Sequence, residues 1–268
     1  MNNQLIYFTD NDMCEFNKPA CEHFIKTRLV ELYKSFMNID VFPNINVDFS
    51  NNNTMGLTFG EVDMKKSTYS EFYLKLNYDM FRSDARCLLP SLFHEFTHVL
   101  DESTICPYFS LDEKKGVTTV YTEFHATVVE HKAATKLFNS PNSRLTIQDK
   151  IIRPESTVTI QQYYQAELSH WTRTLKEIQL PLKPVQYSEI KFRALYYIGK
   201  IYFLKKFVDG YTDQMYNFSI FADILGEEAL QIYDLLINSE YSEKLVIELF
   251  KLERKMMIKH MNLADEKL

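Results

Sequence analysis

Glycine is scarce in this sequence, with six in 268 residues, while aromatic residues make up 14% of the chain. That balance excludes a collagen-like or Gly/Pro-rich fibrous protein and speaks against an all-β fold built on tight turns. No run of 18 apolar residues occurs, so no transmembrane helix is expected. An excess of positive charge is also missing. The 30 Lys and Arg stand against 36 Asp and Glu, a net charge of −6. Neither nucleic acid nor a membrane is therefore an expected partner. The segment Met1 to Asp10 has no basic stretch followed by an apolar core, so it does not read as a secretory signal, and a cytoplasmic location is expected. The four cysteines, Cys14, Cys21, Cys87 and Cys106, form no CxxC pair. Free thiols are expected rather than a disulfide framework or a thiolate zinc site. Nothing in the sequence bears on oligomeric state.

What is present reads as a globular chain, 46% hydrophobic and 25% charged. Its organisation changes near residue 150. The first part mixes strand and helix patterns. Leu5 to Phe8 reads as a short strand. Pro19 opens an amphipathic helix marked by Cys21, Phe24, Ile25, Leu29, Leu32, Tyr33 and Phe36. Ile45–Phe49, Gly56–Val62 and Phe72–Leu76 read as three strands, with Asn51–Asn53 as a turn. Their short connections predict an antiparallel meander, with Phe72–Leu76 at or near its edge. Two helices follow, roughly 84–100 and 118–138, separated by a polar loop from Asp101 to Gly116. Beyond Asn139–Ser143 and Pro154 only helical patterns appear, at roughly 157–178, 186–208, 217–237 and 241–262. The expectation is an α+β region over 1–150 and a helical region over 151–268.

The first of the two central helices contains His94-Glu95-Phe96-Thr97-His98, an HExxH sequence. Residues four apart are neighbours on one helical face. Both imidazoles can therefore reach one metal ion at about 2.0–2.1 Å. Glu95, about 100° further round, stands near that ion without ligating it and can take a proton from water. The motif lies in an apolar run, Leu88, Leu89, Leu92, Phe93, Phe96, Val99 and Leu100. Ionisable groups in such a helix are costly unless paired or metal-bound.

Zinc in a catalytic site takes a third protein ligand and leaves the fourth position open. Glu123 and Glu130, on the following helix, are the two that stand out, with a histidine or a carboxylate elsewhere left open. Their seven-residue separation places them within about 20° of each other on a face shared by Ala126, Thr127, Ala133 and Ala134. Small residues there allow two helices to approach closely. Either carboxylate could ligate, and Glu130 could instead accept a hydrogen bond from a metal-bound histidine. Asp101 and Glu102, one turn beyond His98, are further acceptors for such an imidazole N–H. Tyr121, His125 and His170 are the options for a donor to a developing oxyanion.

On these residues the sequence resembles the zincin metallopeptidases, and more narrowly the gluzincin type. The order is strand Phe72–Leu76, the helix with His94, Glu95 and His98, then a helix with Glu123. The metzincin pattern does not fit, because Asp101 and Thr104 stand where it has Gly and His. Glu123-Phe124-His125-Ala126 also resembles the ExxA element of ImmA/IrrE-like peptidases, with Thr127 where that group commonly has Asn. The resemblance covers about residues 1–140. It implies a zincin-like antiparallel sheet with active-site helices, followed by an all-α region. It also implies one Zn2+ held by His94, His98 and Glu123, Glu95 as general base, and a peptide or protein as substrate. The strand beside the active-site helix, near Tyr69 to Leu76 and so Phe72, Tyr73, Leu74, Lys75 and Leu76, would bind extended substrate. A non-catalytic binding or regulatory protein on the same scaffold is the alternative. The aromatic residues interleaved with Lys191, Arg193, Lys200, Lys205 and Lys206 read as a core stripe with a solvated face.

Overall fold

The computed structural model describes residues 18–50, 60–63, 66–68, 71–77, 85–110, 114, 116–136, 144–152, 157–178 and 180–261. The strand expected at Leu5–Phe8, the loop at Asn139–Ser143, Cys14 and the Cys87 side chain lie outside them. Cys21 and Cys106 are free thiols.

The first amphipathic pattern forms Lys18–Phe24 (α1), a π-helical turn over Ile25–Leu29 and Val30–Met37 (α2), in direct succession. Asn38 ends it at φ 57°, ψ 50°. Asn tolerates this left-handed conformation better than most residues with a Cβ. Asn44–Ser50 (β1), Gly60–Val62 (β2) and Glu71–Asn77 (β3) make one sheet in the order β1-β3-β2. β3 pairs parallel with β1 along its whole length and antiparallel with β2 over Leu74–Leu76. Two expectations are corrected here. The sheet is mixed rather than an antiparallel meander, and Phe72–Leu76 is its central strand rather than an edge. Phe72, Leu74 and Leu76 are fully buried while Tyr73 and Lys75 are not. Alternation reports a sheet with one buried face, which central and edge strands share.

Ala85–Thr104 (α3) contains Pro90 and runs a turn past Leu100, so Asp101 and Glu102 are buried within a helix and not in the expected loop. At about 100° per residue its sides have separate neighbours. Phe93, Phe96 and Thr97 face α2, where the buried Tyr33 hydroxyl meets Thr97 Oγ1 at 3.0 Å and the Tyr33 ring lies edge-on to both phenylalanines. His94, His98 and Asp101 face Thr119–Lys136 (α4), and Glu95 faces β2.

Short strands follow: Leu145–Thr146 (β4), Lys150–Ile152 (β5) and Thr157–Thr159 (β6). Ile160–Lys176 (α5) begins with a capping box in which Thr159 and Gln162 satisfy each other's backbone N–H groups. Pro184–Phe207 (α6) starts on proline and leads into Val208–Asp209 (β7). Then come Ser219–Leu225 (α7), Glu227–Asn238 (α8) and Glu243–Met261 (α9). The purely helical reading of this half is corrected: β5 and β6 form a hairpin, and β7 pairs with β4. Gly226, at φ 88°, divides the expected 217–237 helix into α7 and α8. No helix among the described residues is long and apolar enough to cross a membrane.

Two large apolar cores result. One joins α1, α2, the sheet and α3 to Val129 and Ala133 of α4. The other joins Val120, Phe124 and Val128 of α4 to the helices beyond residue 160. α4 therefore belongs to both, and the second core draws on residues from both sides of residue 150. Its contact with α6 is close: a Cβ on Gly199 would stand 2.8 Å from Thr127 Cβ and 2.9 Å from the Phe124 carbonyl oxygen. Gly199→Ala should therefore destabilise the protein by about 1–3 kcal/mol, although alanine is the better helix former. Gly116→Ala, with only a side-chain carbon 4.0 Å away, should be neutral or slightly stabilising. Denaturant unfolding of the two variants beside the wild type checks both.

Candidate metal centre

α3 and α4 bring His94, His98 and Glu123 together, with one ligand atom from each lying within 4.8 Å of the others. His94 Nε2 and His98 Nε2 are 3.1 Å apart. Glu123 Oε2 lies 3.7 Å from the first and 3.6 Å from the second. A tetrahedral ion bound at about 2.0–2.1 Å has ligand-to-ligand edges of about 3.4 Å, so the three spacings fit one ion at the centre. Glu123 Oε2 is buried and has no hydrogen-bond partner. An orphaned carboxylate oxygen costs several kcal/mol in an apolar surround, on the order of a lost charged hydrogen bond or more. A cation between it and the two imidazoles removes that cost. The three side chains therefore form a group that could hold a metal ion.

Glu130 does something different. Its Oε2 lies 3.1 Å from His94 Nδ1. A proton on Nδ1 donates to this carboxylate and leaves the Nε2 lone pair facing His98 and Glu123. The two glutamates are placed differently: Glu123 faces both Nε2 atoms, and Glu130 lies behind one ring.

The electrostatics follow from burial and proximity. Burial disfavours charged His94, but Glu123 and Glu130 outweigh it and hold its pKa well above the usual value. Burial lowers that of His98. Glu123 is held low, since His98, His94 and the Tyr196 hydroxyl overcome the effect of burial. Glu130 falls to about 2 despite burial, chiefly through His94. Glu95 goes the other way. It is buried, it is not in the ligand group, and burial raises its pKa to about 7.

The remaining expected site residues are distributed as follows. Asp101 does not meet His98. Both of its carboxylate oxygens lie 3.0 Å from His125 Nδ1, because the position three residues beyond His98 points across to α4. Glu102 accepts from the Thr118 hydroxyl, and its backbone carbonyl accepts from the buried Lys114 ammonium. Tyr121 packs its ring against Phe124, His125 and Tyr241. His170 is exposed on α5 beside Trp171 and takes no part in the cluster.

Two positions escaped the sequence reading. Tyr196 of α6 has its ring edge-on to His94, with 5.8 Å between centroids, and its hydroxyl interacts with the Glu123 carboxylate. Burial, then the charges of Glu123, Glu130 and Glu95, raise its pKa, so it remains a donor. Its neighbour Tyr197 faces the helical core, and no pattern in the sequence distinguishes the two. Gly60 of β2 is the other, packed against Glu95. Comparison with protein-family models, curated proteins and solved structures finds no match to this chain.

Purified protein supplied with zinc should hold about one ion per chain by elemental analysis. Glu123→Ala should lose most of it. Glu130→Gln should keep it with affinity about 10–100-fold weaker in chelator competition. Undiminished zinc in Glu123→Ala would assign the third ligand elsewhere.

Proposed function

We propose that this protein is a zinc-dependent metallopeptidase of zincin type. The observation that carries the reading is the buried Glu123 Oε2, which has no hydrogen-bond partner and lies 3.6–3.7 Å from two imidazole nitrogens that are themselves 3.1 Å apart. His94, His98 and Glu123 would hold the ion, which supplies Lewis acidity toward a carbonyl and makes water acidic near neutral pH. Glu95 favours catalysis over a purely structural ion, since a structural site needs only its ligands and has no use for a buried carboxylate beside them. Its pKa near 7 suits a group that accepts a proton from water and passes it to the departing amine. Tyr196, a neutral hydroxyl beside Glu123, is better placed than Tyr121, His125 or His170 to donate to the developing oxyanion.

The substrate strand moves from β3 to β2 in this proposal. β3 is hydrogen-bonded on both sides, whereas no described strand pairs with β2 on the side away from β3. β2 is also the strand that touches Glu95. An extended peptide added to that edge would run along the strand that touches the base.

Glu95→Gln should retain zinc and lose peptide cleavage by at least about 10²–10⁴-fold, the worth of a positioned general base. Tyr196→Phe should lower kcat by about 10²-fold with zinc still bound. Release of fragments from a fluorogenic peptide library reads both. If the wild-type zinc form cleaves nothing in the library or in denatured proteins, the site is a binding centre and not a peptidase.

A further inference from the structure

β2 carries a glycine where a strand is weakened by one. Gly60 is buried and pairs with Leu76 of the central strand. Its backbone does not require glycine, because the positive-φ glycines are Gly210 and Gly226. What requires it is space. A Cβ on residue 60 would stand 2.7 Å from Glu95 Cγ and 2.9 Å from Glu95 Cδ, with Leu76 Cδ2 at 3.0 Å. The Glu95 side chain thus occupies the volume that a side chain at residue 60 would fill. It lies between its own helix and the bare strand backbone, which limits the rotamers open to its carboxylate and keeps water from that side.

We infer that Gly60 is a positioning residue for Glu95: the strand backbone at this point is the wall against which the general base is set. This rests on the peptidase reading only for its catalytic consequence; the packing consequence stands apart from it. Alanine at residue 60 must displace either the Glu95 side chain or the strand. The metal ligands lie on a different side of α3 and should keep their places.

The experiment combines a stability cycle with a rate measurement. Wild type, Gly60→Ala, Glu95→Ala and the double variant are unfolded thermally with zinc present. Gly60→Ala should lower the melting temperature in the wild-type background, and that loss should largely vanish once Glu95 is alanine. A Gly60→Ala protein that folds only in the double variant is the extreme form of the same result. Zinc content of Gly60→Ala should be unchanged. Its kcat on the fluorogenic peptide library should fall by roughly 10²-fold, the effect of about 1 Å of misplacement, with KM within a few-fold. An equal loss of melting temperature in both backgrounds overturns the inference, as does undiminished turnover. If the wild type itself cleaves nothing, the peptidase reading fails, and the stability cycle still decides whether residue 60 sets the place of Glu95.

Discussion

Everything around the candidate site depends on bringing two helices close enough for three potential ligand atoms to converge. Side chains from α3 and α4 converge within 4.8 Å. Ala126, Thr127 and Ala133 are buried along α4, and bulky residues there would hold the helices apart. Isolated ionisable groups could not be buried this way, because each must be paired, hydrogen-bonded or bound to a cation. The cluster is close to balanced when a dication is counted. Two neutral imidazoles and the Glu123 carboxylate leave one positive charge, and Glu130, against His94, offsets it.

The same requirement explains why the helical half cannot be treated as an accessory. Tyr196, Gly199 and Lys200 fall at i, i+3 and i+4 on one face of α6. Tyr196 reaches Glu123 and His94, Gly199 lets α6 lie against α4, and Lys200 pairs with Glu167 at 2.5 Å. The Lys200 charge also helps hold Glu130 ionised, after His94 and His131. His131, next in the chain, meets the Tyr164 hydroxyl at 2.6 Å, and burial, with Lys200 beside it, lowers its pKa to about 4. A chain of buried polar groups thus runs from the site into the second core. Such networks are costly when half satisfied and specify one arrangement when complete.

The legibility of the sequence varied with the kind of signal. His94, Glu95 and His98 could be placed because helical periodicity fixes side-chain direction once a helix is granted. The strands were visible by alternation, but their order was not. A parallel pair made by passing the chain to the far side of β3 leaves the same alternation as a hairpin, and this is why Phe72–Leu76 read as an edge. Asp101 and Glu102 read as the start of a loop because the segment that follows Leu100 is polar; inside the helix their carboxylates meet His125 and Thr118. Tyr196 and Gly60 were illegible for a different reason. Each matters through one contact across a large sequence gap, and no local pattern encodes such a contact.

The ambiguity between Glu123 and Glu130 shows where angular reasoning ends. Seven residues return a helix to nearly the same direction, so both carboxylates face α3. They are also displaced by about 10 Å along the axis, which is too far for both to reach one ion. Yet both touch His94, at 3.7 Å through Nε2 and 3.1 Å through Nδ1. An imidazole has two nitrogens on opposite sides of the ring, and the two glutamates bracket it. With Nδ1 keeping its proton and donating a hydrogen bond to Glu130, only Nε2 can offer a lone pair, and that lone pair points toward Glu123 and His98. The spacing of seven that left the two undecided in the sequence is thus the spacing that lets one helix set a candidate ligand against one nitrogen of His94 and a hydrogen-bond acceptor against the other.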